Sequence, residues 1–232
     1  MKTIQGIAIK CTRYRDNDAI ISILNNDNLT DIIIRGAYSK NSRYLAFAKT
    51  FYKAEFEVYE GKTRYLKLKD AKIIVDYNYW FVTKNKIISL QIIEEFFNKI
   101  FNKDQCKMFY TLINLTLNNI VNSNNDKIFL TLLFVYGLKI SGYQINLCDE
   151  KTALQSCGYS VRDSRFVEEL DKYCFPLSKD EINFLIYSFK NKYATVVKNI
   201  NFFNVNWIKI IRLLAYQFEY YSEDKLISLS LI

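Results

Sequence analysis

Positive side chains and aromatic rings alternate along one stretch near the N-terminus. Between Asp31 and Glu55 the sequence has no acidic residue. The interval contains five cations and five rings: Arg35, Lys40, Arg43, Lys49 and Lys53, with Tyr38, Tyr44, Phe47, Phe51 and Tyr52. Because cations neutralise phosphates and rings stack on bases, this composition suits single-stranded nucleic acid. A solvated loop beside core aromatics would have the same composition.

Further cations lie on either side of this stretch. Arg13 and Arg15 follow the first apolar run, and a basic hairpin carries Lys62, Arg64, Lys67 and Lys69. Residues 1–80 contain 14 Lys/Arg and 9 Asp/Glu, whereas the other 152 residues contain 18 and 15. The excess of positive charge is therefore concentrated in the first third of the chain. Such a surface favours partners that carry phosphate or carboxylate groups.

Most catalytic arrangements are excluded because the sequence contains no histidine. Ser-His-Asp and Cys-His triads, His-ligated zinc and a histidine general base cannot form. The adjacent carboxylates Glu94-Glu95 and Glu168-Glu169 lie in amphipathic contexts typical of solvated helix faces, and there is no Gly-rich phosphate loop. We therefore expect binding without bond-making, with no catalytic residue and no cofactor.

Three of the five cysteines are clustered, at Cys148, Cys157 and Cys174. A structural zinc site usually has four ligands arranged as two close pairs, whereas eight and sixteen residues separate these cysteines. Asp149 or Glu150 could add a carboxylate, but ordinary reduced thiols fit the spacing better. We expect no bound metal. A metal-dependent enzyme built on the cysteines is the competing hypothesis.

The N-terminal sequence MKTIQGIAIK lacks the apolar region of a signal peptide. An odd number of cysteines fits reduced thiols in a cytosolic protein. The most apolar window, Ile128 to Leu138, has 11 residues, and a membrane span needs roughly 20. The sequence therefore predicts a cytoplasmic protein without a membrane partner.

The hydrophobic period changes near residue 80. Before it, short apolar runs alternate with polar residues and are separated by Asn- and Asp-rich turns, which predicts about five strands and a small antiparallel barrel. In the first run, Ile7, Ile9 and Cys11 share one phase, so Cys11 is predicted to be in the core. After it, helices are predicted over 86–103, 104–121, 125–139, 182–193 and 206–221, with irregular structure over 142–177. The sequence thus predicts an α+β chain with domains 1–80 and 81–232.

Three segments of the chain follow a pattern known from one protein family. The first runs from GIAIKCTRYRDNDAIISIL to IIIRGAYSKNSRYLAFAKTF and contains Arg35-Gly36. The second, FLTLLFVYGLKISGYQINL, leads into a turn at Gly142-Tyr143. The third, LLAYQFEYYSEDKLISLSLI, ends in a tail with Leu226, Ser228 and Leu231. In order and spacing, these segments resemble the RecO family of DNA repair proteins.

The resemblance implies an N-terminal OB-fold β-barrel over residues 1–80 and an all-helical C-terminal domain over 81–232. It also implies a cytoplasmic, nucleoid-associated recombination mediator that binds single- and double-stranded DNA and anneals complementary strands. With RecR, such a protein helps to load RecA onto DNA coated with single-stranded DNA-binding protein (SSB), whose acidic tail it binds. The residues expected to bind DNA are Arg13, Arg15, Arg35, Lys40 and Arg43, the first two because of their charge and turn position.

For the acidic tail, the hypothesis places Lys127 and Lys139 beside apolar helix faces. Many RecO proteins carry a four-cysteine zinc module after the Gly-Tyr turn. Here only Cys157-Gly158 and Cys174 resemble it, so residues 142–177 are expected to be a degenerate, zinc-free cysteine region. Two further alternatives are a generic OB-fold RNA-binding protein and a basic face that is only solvated.

Overall fold

The computed structural model describes residues 1–60, 64–147 and 155–232. Its N-terminal part is a five-stranded sheet in which every strand pairs with two others, in the order β1-β2-β3-β5-β4, so that the sheet closes into a barrel. Only the β3–β5 pair is parallel. The strands are β1 Lys2–Tyr14, β2 Asp18–Leu24, β3 Leu29–Ile34, β4 Tyr52–Glu60 and β5 Leu66–Asp76.

Alternate residues of the strands fill the barrel. On β4, Ala54, Phe56 and Val58 are fully buried in the core cluster, whereas Glu55 between them is exposed. This alternation follows from the two-residue period of a strand, which directs successive side chains to opposite faces. The predicted set of about five N-terminal strands is confirmed.

The first strand contains a bulge that changes which residues face the barrel interior. The register with β2 shifts between Ala8 and Lys10. Ala8 belongs to the barrel core and Cys11 packs against it, three residues further on. Ile7 and Ile9 are 0 % and 2 % exposed but lie outside that core cluster. The predicted common phase of Ile7, Ile9 and Cys11 is therefore wrong, because a bulge inserts one residue into the alternation.

The described residues form two compact units: Met1–Leu90 with Phe101–Asn122, and Gln91–Ile100 with Ser123–Ile232. The first unit combines the barrel with helix α2, whereas α1 spans the division. The Tyr77 hydroxyl, just after β5, donates to the Oδ1 atoms of Asn114 and Asn118 at 3.3 and 3.2 Å. Burial raises the pKa of Tyr77 to about 12, so this hydroxyl stays protonated at neutral pH. The first two helices are α1 Lys84–Ile100 and α2 Cys106–Val121.

The second unit is built on aromatic packing between helices. Phe96 lies with its ring centroid 4.1 Å from that of Phe134 and 5.9 Å from that of Phe218. A capping box at Ser178 and Glu181 begins one of these helices. No helix among the described residues is long and apolar enough to cross a membrane. The other helices whose bounds the structure describes are α3 Asp126–Ser141, α4 Lys179–Lys190, α5 Tyr193–Asn199 and α6 Trp207–Ser222.

The chain after α3 is not entirely helical. Residues 158–176 contain a three-stranded antiparallel sheet in the order β7-β6-β8, so the predictions of an all-helical C-terminal domain and of irregular structure over 142–177 are wrong here. Strands of three residues are too short for an alternating pattern to be visible in the sequence. Tyr159 and Phe166 anchor the sheet with ring centroids 5.1 Å apart. The strands are β6 Gly158–Ser160, β7 Arg165–Val167 and β8 Cys174–Pro176.

Candidate nucleic-acid interface

Four arginines of the barrel stack on tyrosine rings. All four arginines are exposed. A guanidinium over an aromatic ring gains electrostatic attraction, and it keeps its N–H donors directed toward solvent. The pairs, with the distance from Cζ to the ring centroid, are Arg13 with Tyr38 at 5.2 Å, Arg15 with Tyr14 at 5.2 Å, Arg43 with Tyr44 at 4.7 Å and Arg64 with Tyr65 at 4.7 Å.

Two of these pairs meet at one place, which we call the Tyr14–Tyr65 group (Tyr14, Arg15, Arg64 and Tyr65). The two rings contact edge to face, with centroids 6.3 Å apart. Tyr14 ends β1 and Tyr65 precedes β5, so the group joins the β1–β2 turn to the β4–β5 hairpin. Arg64 also donates a hydrogen bond to the Tyr65 hydroxyl. Within the described part of the chain, neither arginine makes an ion pair.

The Arg13–Tyr38 pair lies at the barrel end formed by the β1–β2 turn. Arg13 Nη2 donates to the Asp16 carbonyl oxygen at 2.9 Å, and the Tyr38 amide donates to the Asn17 carbonyl at 2.9 Å. Burial and a contact of its hydroxyl with Cys11 raise the pKa of Tyr38. The ring is therefore a neutral, fixed support for the arginine.

Arg35 lies at the same end of the barrel. Ile34 of β3 pairs with Ala19 of β2, and Ala19 pairs with Arg13 of β1. Arg35 follows Ile34 directly, so Arg35 lies close to the level of Arg13 across the sheet. Gly36 comes next with φ of +62°, and its amide donates to Asp18 Oδ1 at 2.8 Å. The structure thus brings Arg13 and Arg35, two of the predicted residues, to one region.

Arg43 is held against β5 and not against this turn. Its partner Tyr44 donates to the Lys69 carbonyl oxygen at 2.9 Å. Like Arg43, Lys40 lies on the connection between β3 and β4, where it is exposed and precedes Asn41, whose φ is +69°. Neither Lys40 nor Arg35 has an ion-pair partner among the residues that the structure describes. The five predicted residues therefore lie around the β1–β2 turn and along the connection between β3 and β4, and they do not form one compact cluster.

Part of the basic and aromatic stretch between Asp31 and Glu55 belongs to the core, as the alternative interpretation of its composition predicts. Lys49 forms an ion pair with Asp76 at 2.5 Å. Phe51 and Tyr52 are 2 % and 0 % exposed. Phe51 has φ of +58°, held because its carbonyl accepts from the Tyr77 amide at 3.1 Å. Of the rings in this stretch, Tyr38 and Tyr44 are the ones that support arginines.

Tyr14 and Tyr65 are not among the residues predicted from the sequence to bind nucleic acid, and Arg64 is predicted only as one cation of the basic hairpin. A signal was present, since the dipeptide Arg-Tyr occurs at 13–14, 43–44 and 64–65 and nowhere else in the chain. Each occurrence contributes to a stack on the barrel. The contact between Tyr14 and Tyr65 depends on strand pairing and could not be foreseen.

The two lysines predicted to bind an acidic tail are separated. Lys127 is exposed in the first turn of α3 and Lys139 lies in the last turn, about 18 Å away at 1.5 Å per residue. Lys139 Nζ donates to the Phe189 carbonyl oxygen at 2.6 Å, near the end of α4. One of the two ammonium groups is therefore engaged in capping a helix.

The cysteines do not converge in the described chain. Cys157 donates to the Glu168 carbonyl oxygen at 3.1 Å and Cys174 to Asp171 Oδ1 at 3.0 Å. Cys174 pairs with Ser160, three residues from Cys157, so about 10 Å of strand separates the backbone positions of the two cysteines. Burial raises the pKa of the Cys174 thiol. The described ranges hold no group of three or more possible metal ligands, and Cys148 lies outside them.

Comparison with known proteins adds no relative to this description. No protein-family model matches the chain, and no curated protein is similar to it in sequence. A functional assignment therefore rests on the barrel and its arginine–tyrosine stacks.

Proposed function

We propose that the barrel is an OB-fold that binds single-stranded nucleic acid through its arginine–tyrosine stacks. The strand order β1-β2-β3-β5-β4 supports it, because OB-folds are five-stranded Greek-key barrels. In such barrels the β1–β2 and β4–β5 loops bind oligonucleotides. The Tyr14–Tyr65 group lies on these two loops and is the observation that carries the proposal.

The mechanism is binding without bond-making. Exposed guanidinium groups neutralise phosphates and release counterions, and tyrosine rings accept any base by stacking. Because each arginine is already supported by a ring, little side-chain freedom is lost when a phosphate arrives. Neutralising two strands that otherwise repel each other would let complementary sequences pair on the protein. No cofactor is required.

We further propose that the protein is a recombination mediator of the RecO type. It would bind single- and double-stranded DNA, anneal complementary strands and, with RecR, help to load RecA onto SSB-coated DNA. Three residues of the segments that resemble RecO have structural roles that depend on their residue type, which supports this proposal. Gly36 and Gly142 have φ of +62° and +83°, a conformation that favours glycine. The Ser228 amide and hydroxyl donate hydrogen bonds to Glu95. The acidic SSB tail remains a proposed partner of the second unit. Lys127, one of the two lysines predicted to bind it, is exposed.

Annealing of complementary oligonucleotides coated with SSB tests the proposal, with no nucleotide or metal added. Wild-type protein should accelerate annealing, and the effect should fade as salt rises. Arg15→Ala with Arg64→Ala should weaken single-strand binding and lower the slope of log affinity against log salt by about 1 to 2. Arg165→Ala with Lys198→Ala, which removes the same charge from exposed positions of the second unit, is the matched control.

Two results would contradict the proposal. An unchanged salt slope in the folded Arg15/Arg64 variant would remove the Tyr14–Tyr65 group from the interface. Tight RNA binding without acceleration of DNA annealing would favour the generic RNA-binding alternative, which the same stacks would also serve.

A further inference from the structure

A cavity of about 310 Å³ lies in the first unit, at the β2–β3 turn. Its size falls at the lower end of small-molecule pockets, roughly 300 to 1,000 Å³. The turn follows the last residue of β2, whereas Arg15 precedes the first, so the cavity and the Tyr14–Tyr65 group are about 20 Å apart along the strand. The residues that give the cavity its chemistry are Lys2, Gln5, Asn25, Asn26, Asn28 and Tyr110.

The amides of the turn supply mainly hydrogen-bond donors. Asn25 Oδ1 accepts from the backbone amides of Asp27 and Asn28, both at 2.8 Å. Asn28 Oδ1 accepts from the Thr30 hydroxyl at 2.7 Å. Since these oxygens are engaged, the side chains offer their NH₂ groups. No described residue accepts a hydrogen bond from them.

Positive charge and one ring complete the cavity. Lys2 is exposed at its edge, and Asp27 is the single acidic residue of the lining. Tyr110 of α2 contributes its ring, and Lys53 Nζ lies 5.9 Å from the ring centroid. The lining therefore suits a partly flat ligand that is rich in hydrogen-bond acceptors, and Lys2 with the nearby Lys53 outweighs Asp27 in favour of a negative charge on that ligand.

We propose that this cavity binds one unstacked nucleotide of a nucleic-acid strand that the Tyr14–Tyr65 group also holds. The NH₂ groups of the asparagines donate to base carbonyl and phosphate oxygens, Lys2 neutralises the phosphate, and Tyr110 contacts the base. The strand then runs along β2 from one end of the barrel to the other. This inference rests on the proposed nucleic-acid binding. It adds the course of the bound strand along the barrel and the site at the far end of that course, opposite the Tyr14–Tyr65 group.

The test follows the side-chain NH₂ signals of the asparagines by NMR during titration with oligothymidylate and, separately, with thymidine monophosphate. Oligothymidylate should shift the signals of Asn25, Asn26 and Asn28. Lys2→Gln with Asn26→Ala, both at exposed positions, should weaken oligothymidylate binding about fivefold or more. The variant Arg165→Ala with Lys198→Ala should leave the affinity unchanged.

The outcomes separate this inference from the proposed function. If wild type binds oligothymidylate but the asparagine signals stay in place and Lys2→Gln with Asn26→Ala has no effect, the cavity is not part of the path and the proposed function stands. If oligothymidylate does not bind but the monophosphate shifts the signals, the proposed function fails and the cavity takes a free nucleotide, which overturns the strand path. If neither ligand acts, both proposals fail.

Discussion

Gly6 lies where β1 passes from one partner strand to the other. A Cβ atom at this position would lie 2.6 Å from both the Leu24 carbonyl oxygen and Ile23 Cγ2. A real Cβ atom does not approach backbone so closely, and the backbone cannot rotate away as a side chain can. Only glycine therefore lets β1 and β2 approach at this point.

We expect Gly6→Ala to destabilise the first unit by about 1 to 3 kcal/mol, because the strands must move apart. The free energy of unfolding from urea titration measures this. Thr12→Ala, at an exposed position of the same strand, should change it by about 0.5 kcal/mol or less. Equal effects of the two substitutions would show that the close approach is not limiting.

Arg35 and Arg43 give a second prediction at the scale of residues. Changing both to Ala should weaken DNA binding at all sequences and lower the slope of log affinity against log salt by about 1 to 2, because phosphate contacts carry no sequence information. Folding should be intact, since Tyr44 keeps its hydrogen bond to the Lys69 carbonyl. An unchanged slope in the folded variant would exclude both residues from phosphate contact.

At the scale of elements, one carboxylate organises the C-terminal segment of the second unit. Glu95 on α1 accepts from the backbone amides of Ile227 and Ser228 at 2.8 and 2.7 Å, and from the Ser228 hydroxyl at 2.5 Å. Lys99, one turn later, forms an ion pair with it at 3.4 Å. Burial raises the pKa of Glu95, but the bonds to Ser228 and Ile227 and the Lys99 ammonium lower it more.

The lowered pKa of Glu95 makes stability depend on pH. A carboxylate whose folded pKa lies below its unfolded value contributes stability that is complete above the unfolded pKa, about 4.3, and is lost as pH falls through the folded pKa. Glu95→Gln should therefore cost about 1 to 3 kcal/mol at neutral pH and less in acid.

Urea titrations at neutral and acidic pH measure this effect. Glu169→Gln, at an exposed position, is the control and should leave both values within about 0.5 kcal/mol of wild type. An equal loss at both pH values would show that charge on Glu95 is not what holds the segment.

The same scale shows what a sequence can and cannot reveal. The helix at 84–100 follows from apolar residues every four positions, and its observed limits differ from the prediction by two or three residues. The bulge after Ala8 leaves no trace in composition, because all residues from Gly6 to Ile9 are small or apolar. Arginine–tyrosine neighbours are visible in the sequence, but the Tyr14–Tyr65 contact requires a closed barrel. Local chemistry could thus be predicted, and long-range pairing could not.

At the scale of the whole molecule, the compact units do not coincide with contiguous halves. Residues 101–122 belong with the barrel although residues 91–100 do not. Tyr77 hydrogen-bonds Asn114 and Asn118 in this region, and the ring of Tyr110 lies near Lys53. A fragment that stops at residue 80 loses these contacts.

We expect the fragment 1–80 to melt at a lower temperature than the fragment 1–122, because the buried Tyr77 hydroxyl loses its acceptors and α2 is absent. Thermal unfolding followed by circular dichroism compares the two fragments. Equal melting temperatures would show that the strands form an independent domain that ends near residue 80.

This arrangement also has a consequence during synthesis of the protein. The last barrel strand ends at Asp76, but the first unit is complete only at Asn122, 46 residues later. At about 5 to 20 residues per second, the ribosome needs roughly 2 to 9 s to supply them. During that interval the barrel strands have been synthesised but α2 has not, so the first unit cannot yet fold completely. A chaperone that binds exposed apolar strands would therefore encounter the nascent chain before the first unit is complete.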